Sequence, residues 1–371
     1  MISYILPTRN RPECLEATLR GLGALDPGAH DAVGGAEVIV VDNASTAPPR
    51  CPSSLDNGIE MRIIRRSRNE GAAARNVGAE AARGEWIVML DDDSHPLDAG
   101  HVRAIVEAPE DVAAIGAEIT LADGRREAGG LPEVFIGCGV AIRREAYLAC
   151  AGYDPGFHFY VEEYDLAAKL ILRGWRIAHD RRFRVIHEKT ASGRDMNMIL
   201  RRLVRNNGWV MQRYAPGSER RRLLRETLTR YRSIAAKERA RRGYSIGAIE
   251  LAMSLRRQAR TPMSRSQFDR FTGLEAARRG LAESAALAAA STAAIVDPGK
   301  NEWAVRAALH ELNVRIVGDE READALVIGT LSPGPMMDAW ERRLTLGQPV
   351  VRPWSLNEPS PSPEPALQSA R

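Results

Sequence analysis

The run Gly84-Glu85-Trp86-Ile87-Val88-Met89-Leu90-Asp91-Asp92-Asp93 constrains the fold more than any other stretch. Trp86 to Leu90 is unbroken apolar sequence with β-branched and aromatic members, which predicts a strand buried on both faces. Three consecutive carboxylates close it. They repel one another unless a cation offsets them, and open α/β sheets keep their ligands at the carboxyl ends of strands. The position suits a hard divalent ion that also grips substrate phosphates. A solvated acidic turn running into Pro96 is the alternative.

The sequence before this strand repeats the same design. Ile2 to Leu6 reads as a strand ending in Pro7-Thr8-Arg9-Asn10-Arg11, followed by a helix from Pro12 to Leu22, with proline in its first turn. Glu37 to Val41 reads as a buried strand ending in Asp42-Asn43-Ala44-Ser45. Met61 to Ile64 is a third, leading through Asn69 and Gly71 to a small-residue helix that carries Arg75-Asn76 and ends near Ala82. Strands alternating with helices at this spacing predict a parallel, doubly wound sheet. Thr8, Asp42 and Asp91 to Asp93 then line one crevice.

Beyond Pro96 the pattern loosens. Val112 to Ile119 reads as a strand, and Phe135 to Ile142 as another whose glycines, Gly137 and Gly139, imply that something approaches its backbone closely. A short helix covers Arg144 to Cys150. Phe159 to Leu166 opens a helix stopped by Gly174. Arg176 to His179 and Phe183 to His187 read as two short strands.

The ordered set of motifs resembles the family 2 glycosyltransferases over about residues 1 to 215. It comprises Pro7-Thr8-Arg9-Asn10-Arg11, Val41-Asp42-Asn43-Ala44-Ser45, Asn69 with Gly71 and Arg75-Asn76, Leu90-Asp91-Asp92-Asp93, Glu162-Glu163-Tyr164-Asp165-Leu166, Gly174-Trp175 and His187. The resemblance implies an α/β GT-A fold and transfer, with inversion, of a sugar from a nucleotide-diphosphate donor, UDP-sugars first, to an acceptor hydroxyl. It places Mg²⁺ or Mn²⁺ on Asp93, with Asp91 and His187 completing the metal site. Pro7, Thr8, Arg9, Asp42, Arg75, Asp91 and Asp92 fall to the nucleotide, and Arg194 joins them as a phosphate contact because a guanidinium matches phosphate geometry. Glu163 becomes the general base, with Glu162 beside it; glutamate stands there where the family often has aspartate. Nucleotidyl transfer and a catalytically inactive nucleotide-sugar-binding protein are the rivals, and the first would need a Gly-rich phosphate loop that the first turn lacks.

Composition bounds the rest. The 371 residues suffice for about two domains. The four cysteines, Cys14, Cys51, Cys138 and Cys150, form no C-x-x-C pair, which points to a reducing compartment and away from a structural zinc site. No signal peptide or membrane-spanning run is legible, so cytoplasm is the expected location. Net charge is +4, but eleven arginines fall between Arg194 and Arg232. A solvated helix face explains them better than nucleic acid, for which no recognisable motif is present, and contact with an anionic membrane is peripheral at most.

Four segments are expected: a GT-A domain over 1–217, a helical linking region over 218–292, a small α/β unit over 293–356 resembling half of a nucleotide-binding fold, and a Pro/Ser-rich tail over 357–371 expected to be disordered. The turn Asp297-Pro298-Gly299-Lys300 has one glycine, so a dinucleotide site is not expected there. A structural or partner-binding role is expected for the third segment.

Overall fold

The computed structural model describes residues 1–189 and 195–356. Its larger sheet has eight strands: β1 (Ile2–Thr8), β2 (Ala36–Asp42), β3 (Glu60–Arg65), β4 (Trp86–Leu90), β5 (Ser94–Pro96), β6 (Val112–Leu121), β7 (Gly139–Arg143) and β8 (Arg176–His187). They lie in the order β3-β2-β1-β4-β7-β6-β8-β5. β3, β2, β1 and β4 are parallel. β7 runs antiparallel to both β4 and β6, and β5 antiparallel to β8. The sheet is therefore mixed: β3, β2, β1, β4, β6 and β8 run one way and β7 and β5 the other, so the parallel pattern expected from the sequence is interrupted twice.

Side chains along the parallel strands alternate between two apolar layers. Ile5, Ile39, Val41, Ile87 and Met89 face one layer. Tyr4, Leu6, Val38, Val40, Val88 and Leu90 face the other. Continuous apolar strands are the sequence signature of a sheet covered on both faces. Helices α1 (Pro12–Gly23), α2 (Ala74–Ala81), α3 (Gly100–Val106), α4 (Arg144–Ala149) and α5 (Glu162–Leu172) supply the cover.

Two expectations for this region fail locally. The strand expected over Phe135–Ile142 starts only at Gly139 and runs to Arg143, although its glycines do mark close approach: a Cβ on Gly137 would stand 3.3 Å from Glu163 Oε1. The two short strands expected before His187 are a single strand, β8. Its register against β6 slips between the pairs Ala117–Asp180 and Glu118–Arg184, so extra residues bulge out without ending it.

Helices α6 (Met196–Tyr214), α7 (Arg220–Lys237), α8 (Arg241–Ser254), α9 (Arg265–Thr272), α10 (Leu274–Ala282) and α11 (Ala285–Ala288) follow. A second, four-stranded parallel sheet holds β9 (Thr292–Val296), β10 (Arg315–Val317), β11 (Ala325–Ile328) and β12 (Val350–Val351), in the order β10-β9-β11-β12. Helices α12 (Glu302–Glu311) and α13 (Pro333–Arg343) accompany it. One apolar core runs from the first sheet through α9 and α10 into the second. Polar contacts add to it: Arg126 bonds Asp338 and Glu341 of α13 at 2.8 Å each, and Arg270 of α9 bonds Glu133 at 2.8 Å. Among the described residues no helix is long and apolar enough to cross a membrane. The expected tail, 357–371, lies outside the described residues.

Candidate active site

β1, β2 and β4 end side by side, so Thr8, Asp42 and the three aspartates come together as the strand alternation requires. Thr8 Oγ1 donates to Asp92 Oδ2 at 2.8 Å. Arg11, at the start of α1, reaches both Asp92 Oδ1 (2.5 Å) and Asp93 Oδ2 (2.6 Å). Burial pushes the Asp92 carboxyl up to about 6 against the pull of Arg11 and Thr8. Burial also opposes charge on Asp93, but bonds from His187 and Arg11 outweigh it and hold Asp93 below the usual carboxylate range.

Asp91 has a different partner. The Arg75 guanidinium, 4 % exposed, bonds its carboxylate and donates to the Leu90 carbonyl at 3.0 Å. Arg75 therefore orients the first aspartate from beneath. Asp42 is fully buried and accepts from Ser45 N at 2.9 Å, while its Oδ2 has no hydrogen-bond partner. Arg65 Nε stands 3.4 Å from that oxygen, an ion pair without hydrogen-bond geometry. Pro7 and Arg9 lie at the mouth, Arg9 exposed. Arg194 lies outside the described residues.

His187 ends β8 opposite the aspartates. Its Nε2 is 3.3 Å from Asp93 Oδ1 and its Nδ1 is 3.0 Å from Glu127 Oε2. Lys189 holds the other Glu127 oxygen at 2.9 Å, and Cys138 Sγ is 3.6 Å from Nδ1. Burial disfavours an imidazolium, but Asp93, Cys138 and Glu127 together push His187 up to about 12. Asp91, Cys138 and His187 each bring one ligand atom within 4.8 Å of the others.

These groups fit a divalent ion. Carboxylate oxygens suit Mg²⁺ or Mn²⁺, and a carboxylate behind the histidine is the arrangement that fixes a metal-binding imidazole. As a ligand His187 must be neutral, so binding displaces its proton. Cys138 is the softer donor, and burial pushes its thiol up to about 11.

Glu162 and Glu163 open α5 on a strained approach. His158, Tyr160 and Val161 all have positive φ, 63°, 70° and 74°, and for a β-branched valine that conformation is a genuine outlier. Asn206 of α6 holds the bend: its Nδ2 donates to the carbonyls of Phe157, Phe159 and Tyr160 at 3.1, 3.1 and 2.7 Å. From the other side Ala72 N donates to His158 O at 2.7 Å, and Gly71 leaves no room for a Cβ, which would stand 2.1 Å from that oxygen. Strain that its surroundings over-determine in this way is characteristic of functional segments.

The two glutamates differ in setting. Glu162 is 7 % exposed, and its Oε2 has no hydrogen-bond partner. Burial and the neighbouring Glu163 push it well above the usual range. Burial raises Glu163 too, but Glu163 also forms part of the wall of a cavity of about 750 Å³.

Arg11, Glu127, Cys138, Lys189 and Asn206 carry this site without having been singled out for it. Only Arg11 left a signal, as the last residue of the first motif. The others are brought in by the end of β8, by the 126–134 loop, by the start of β7 and by α6, whose positions depend on packing.

Residues 3–147 match the model of the family described as "Glycosyl transferase family 2". The chain is 28% identical over 200 residues to an uncharacterized glycosyltransferase of Haemophilus influenzae, covering 46% of this chain and 62% of that one. It is 25% identical over 218 residues to the pre-mycofactocin glycosyltransferase of Mycobacterium tuberculosis, covering 52% and 44% respectively. It thus spans less than two thirds of the length of either relative. Among solved structures, residues 1–349 of S. aureus TarS, crystallised with UDP-GlcNAc, align with a TM-score of 0.51 at 14% identity, over 76% of this chain and 85% of that one. That likeness shows the fold, a GT-A arrangement followed by a helical part.

Proposed function

Starting from a chain whose residues 3–147 are a family 2 glycosyltransferase segment, we propose that it transfers a sugar from a nucleotide-diphosphate donor to an acceptor hydroxyl, with inversion and with the help of a divalent cation. The observation that carries this reading is a division of carboxylates. Asp91 and Asp93 face His187 at the ends of β4 and β8, while Glu163 opens a helix and faces a cavity. One group is suited to a leaving diphosphate and the other to an incoming hydroxyl.

Glu163 acts as general base. The acceptor oxygen forms its bond to the anomeric carbon as the bond to the diphosphate breaks, and the hydroxyl proton passes to the Glu163 carboxylate. A raised carboxyl pKa brings a base closer to working pH and so strengthens it. Glu162 keeps the proton of the pair, so the site does not carry two adjacent buried anions.

Asp93, Asp91 and His187 would hold Mg²⁺ or Mn²⁺, which supplies positive charge to the departing diphosphate when bound. Glu127 fixes the imidazole, Arg75 fixes Asp91, and Arg11 aligns Asp92 and Asp93. Pro7, Thr8, Arg9 and the open oxygen of Asp42 are assigned to the nucleotide, with a UDP-sugar as the first donor to try. Arg194 is kept as a phosphate contact because a guanidinium matches phosphate geometry. The cytoplasm remains the proposed location.

The test is calorimetry of UDP and GDP with and without Mn²⁺, on the wild type and on Asp93→Asn. Metal-dependent binding that the variant loses is expected. Equal, metal-independent affinity in both proteins sinks the reading. Mass analysis of products separates it from nucleotidyl transfer, in which pyrophosphate leaves, and from an inactive binder, in which nothing does.

A further inference from the structure

The cavity beside Glu163 lies between three parts of the molecule: α5, the helices α6, α7 and α9, and the turn from β9 into α12. That turn belongs to the second sheet and is pinned in place. Asn301 Nδ2 donates to the Thr272 carbonyl at 2.8 Å, and Lys300 Nζ donates to Tyr164 Oη at 2.7 Å while lying 5.2 Å from the centre of its ring. The third segment therefore builds a wall of the chamber into which the proposed base faces.

The chamber's chemistry is uneven. Tyr164, Tyr231, Phe271 and Trp303 line it, Tyr164 and Phe271 meeting edge to face with centroids 6.1 Å apart. Trp303, at 46 % exposed, keeps part of a large ring in contact with water. Two of the wall's phenol groups are already engaged, Tyr164 with Lys300 and Tyr231 with Asn207 Nδ2 at 2.9 Å. Other polar groups of the wall are engaged as well, Glu226 with Arg222, Glu302 with Arg306, Thr227 with the Leu223 carbonyl and Asn301 with the Thr272 carbonyl, which leaves few partners for a polyhydroxylated guest. A flat apolar guest would find the exposed ring of Trp303. Lys300 makes no ion pair with a carboxylate of the described residues, so its charge is available to an anion, and Arg230 lies in the same wall, its guanidinium 5.0 Å from the Tyr231 ring centre. A volume of about 750 Å³ is ordinary for a small-molecule site.

We propose that this chamber is the acceptor site and takes an aromatic hydroxyl compound bearing an anionic group, with the ring against Trp303, the anion at Lys300 and the hydroxyl at Glu163. The assignment rests on the transferase reading for the chemistry that follows: the aryl-linked oxygen bonds to the anomeric carbon, the nucleoside diphosphate leaves, and Glu163 receives the proton. It also makes the third segment part of substrate recognition, where the sequence suggested a structural or partner-binding role.

The chamber can be tested without a donor. The full chain is titrated calorimetrically with 4-hydroxyphenylacetate, 4-hydroxyphenyl phosphate, 4-hydroxybenzyl alcohol and glucose. Both anionic aromatics should bind at least tenfold more tightly than glucose, and their ratio separates a carboxylate guest from a phosphate one. Trp303→Ala, at a half-exposed position that folding tolerates, should weaken all three aromatics about tenfold. Lys300→Met should weaken the two anionic ones and leave the alcohol unchanged. Glucose binding as tightly as the aromatics, or aromatic affinities unmoved by both substitutions, overturns the proposal. UDP-sugar binding in the same samples with no aromatic binding overturns the chamber alone. Aromatic binding with no nucleotide-sugar binding under Mg²⁺ or Mn²⁺ overturns the transferase reading and the acceptor role with it.

Discussion

His187 Nδ1 lies 3.0 Å from Glu127 Oε2, which turns the opposite ring nitrogen toward Asp93 at 3.3 Å. Glu127 is itself held by Lys189 and sits in the loop against which the second sheet packs: a Cβ on Gly334 of α13 would stand 2.4 Å from the Glu127 carbonyl oxygen. The aim of one imidazole is thus set by a segment more than a hundred residues further along the chain.

Glu127→Gln should therefore weaken Mn²⁺ binding by about 10–100-fold, the usual effect of removing a carboxylate behind a metal-binding histidine. Titrating Mn²⁺ into wild type and variant in the presence of UDP reads it directly. Unchanged affinity would remove Glu127 from the site.

Replacing Glu163 by Gln should lower turnover by on the order of 10²–10⁴-fold, the range for a positioned general base, with donor affinity retained. Glu162→Gln should lose less. If the Glu162 variant is the inactive one, the base moves one residue, and if both stay active it lies elsewhere.

The same Glu162→Gln change should affect stability with a definite sign. The folded carboxyl is raised well above its unfolded value, so its neutral form favours folding below the unfolded pKa, and that contribution is lost as pH rises toward the folded one. Gln has no such loss. The variant should match wild type near pH 4 and gain on the order of 1 kcal/mol at pH 7–8, the scale of relieving one unsatisfied buried polar group. Urea melts across that range check it.

Asn206→Ala removes three bonds to the carbonyls of the left-handed bend. Stability should fall by about 1–3 kcal/mol, and turnover should fall more than donor affinity, because the bend places Glu163 and not the nucleotide. Asn206→Asp, which keeps the shape but cannot donate, should behave like alanine. Full activity in either variant would show that the bend holds itself.

Away from the site, Tyr4 Oη stands 2.7 Å from His30 Nε2 and 2.5 Å from His101 Nε2, all three buried. Burial, with His30 nearby, lowers His101 to about 4. The neutral ring is required in the fold, so its contribution is complete above pH 6.5 and is lost as pH falls from 6.5 toward 4. His101→Gln should flatten that part of the stability curve, and an unchanged acid limb would assign it to other groups.

How much of this was legible in the chain follows from which physical forces are local. Apolar runs of three to five residues leading into Thr8, Asp42 and Asp91 require a covered sheet, and period-two alternation alone sends Ile5 and Leu6 to opposite layers. Helix α1 follows from its proline, and the stop at Gly174, φ 86°, from its lack of a Cβ. The acidic strand end could be read because repulsion between adjacent carboxylates is already present in the sequence, whereas the glutamate pair was legible only through the family resemblance. What the sequence could not state is which distant groups resolve that repulsion. Arg75 on Asp91, Arg11 across Asp92 and Asp93, Glu127 behind His187 and Asn206 under the bend are contacts between residues 16 to 82 positions apart, chosen by how helices and sheets pack. The reversal of β7, the slipped register of β8, and the placing of Lys300 and Trp303 opposite Glu163 belong to the same class. Local periodicity fixes elements and their polar ends, whereas the meeting of those ends is a property of the packed core, which no single segment carries.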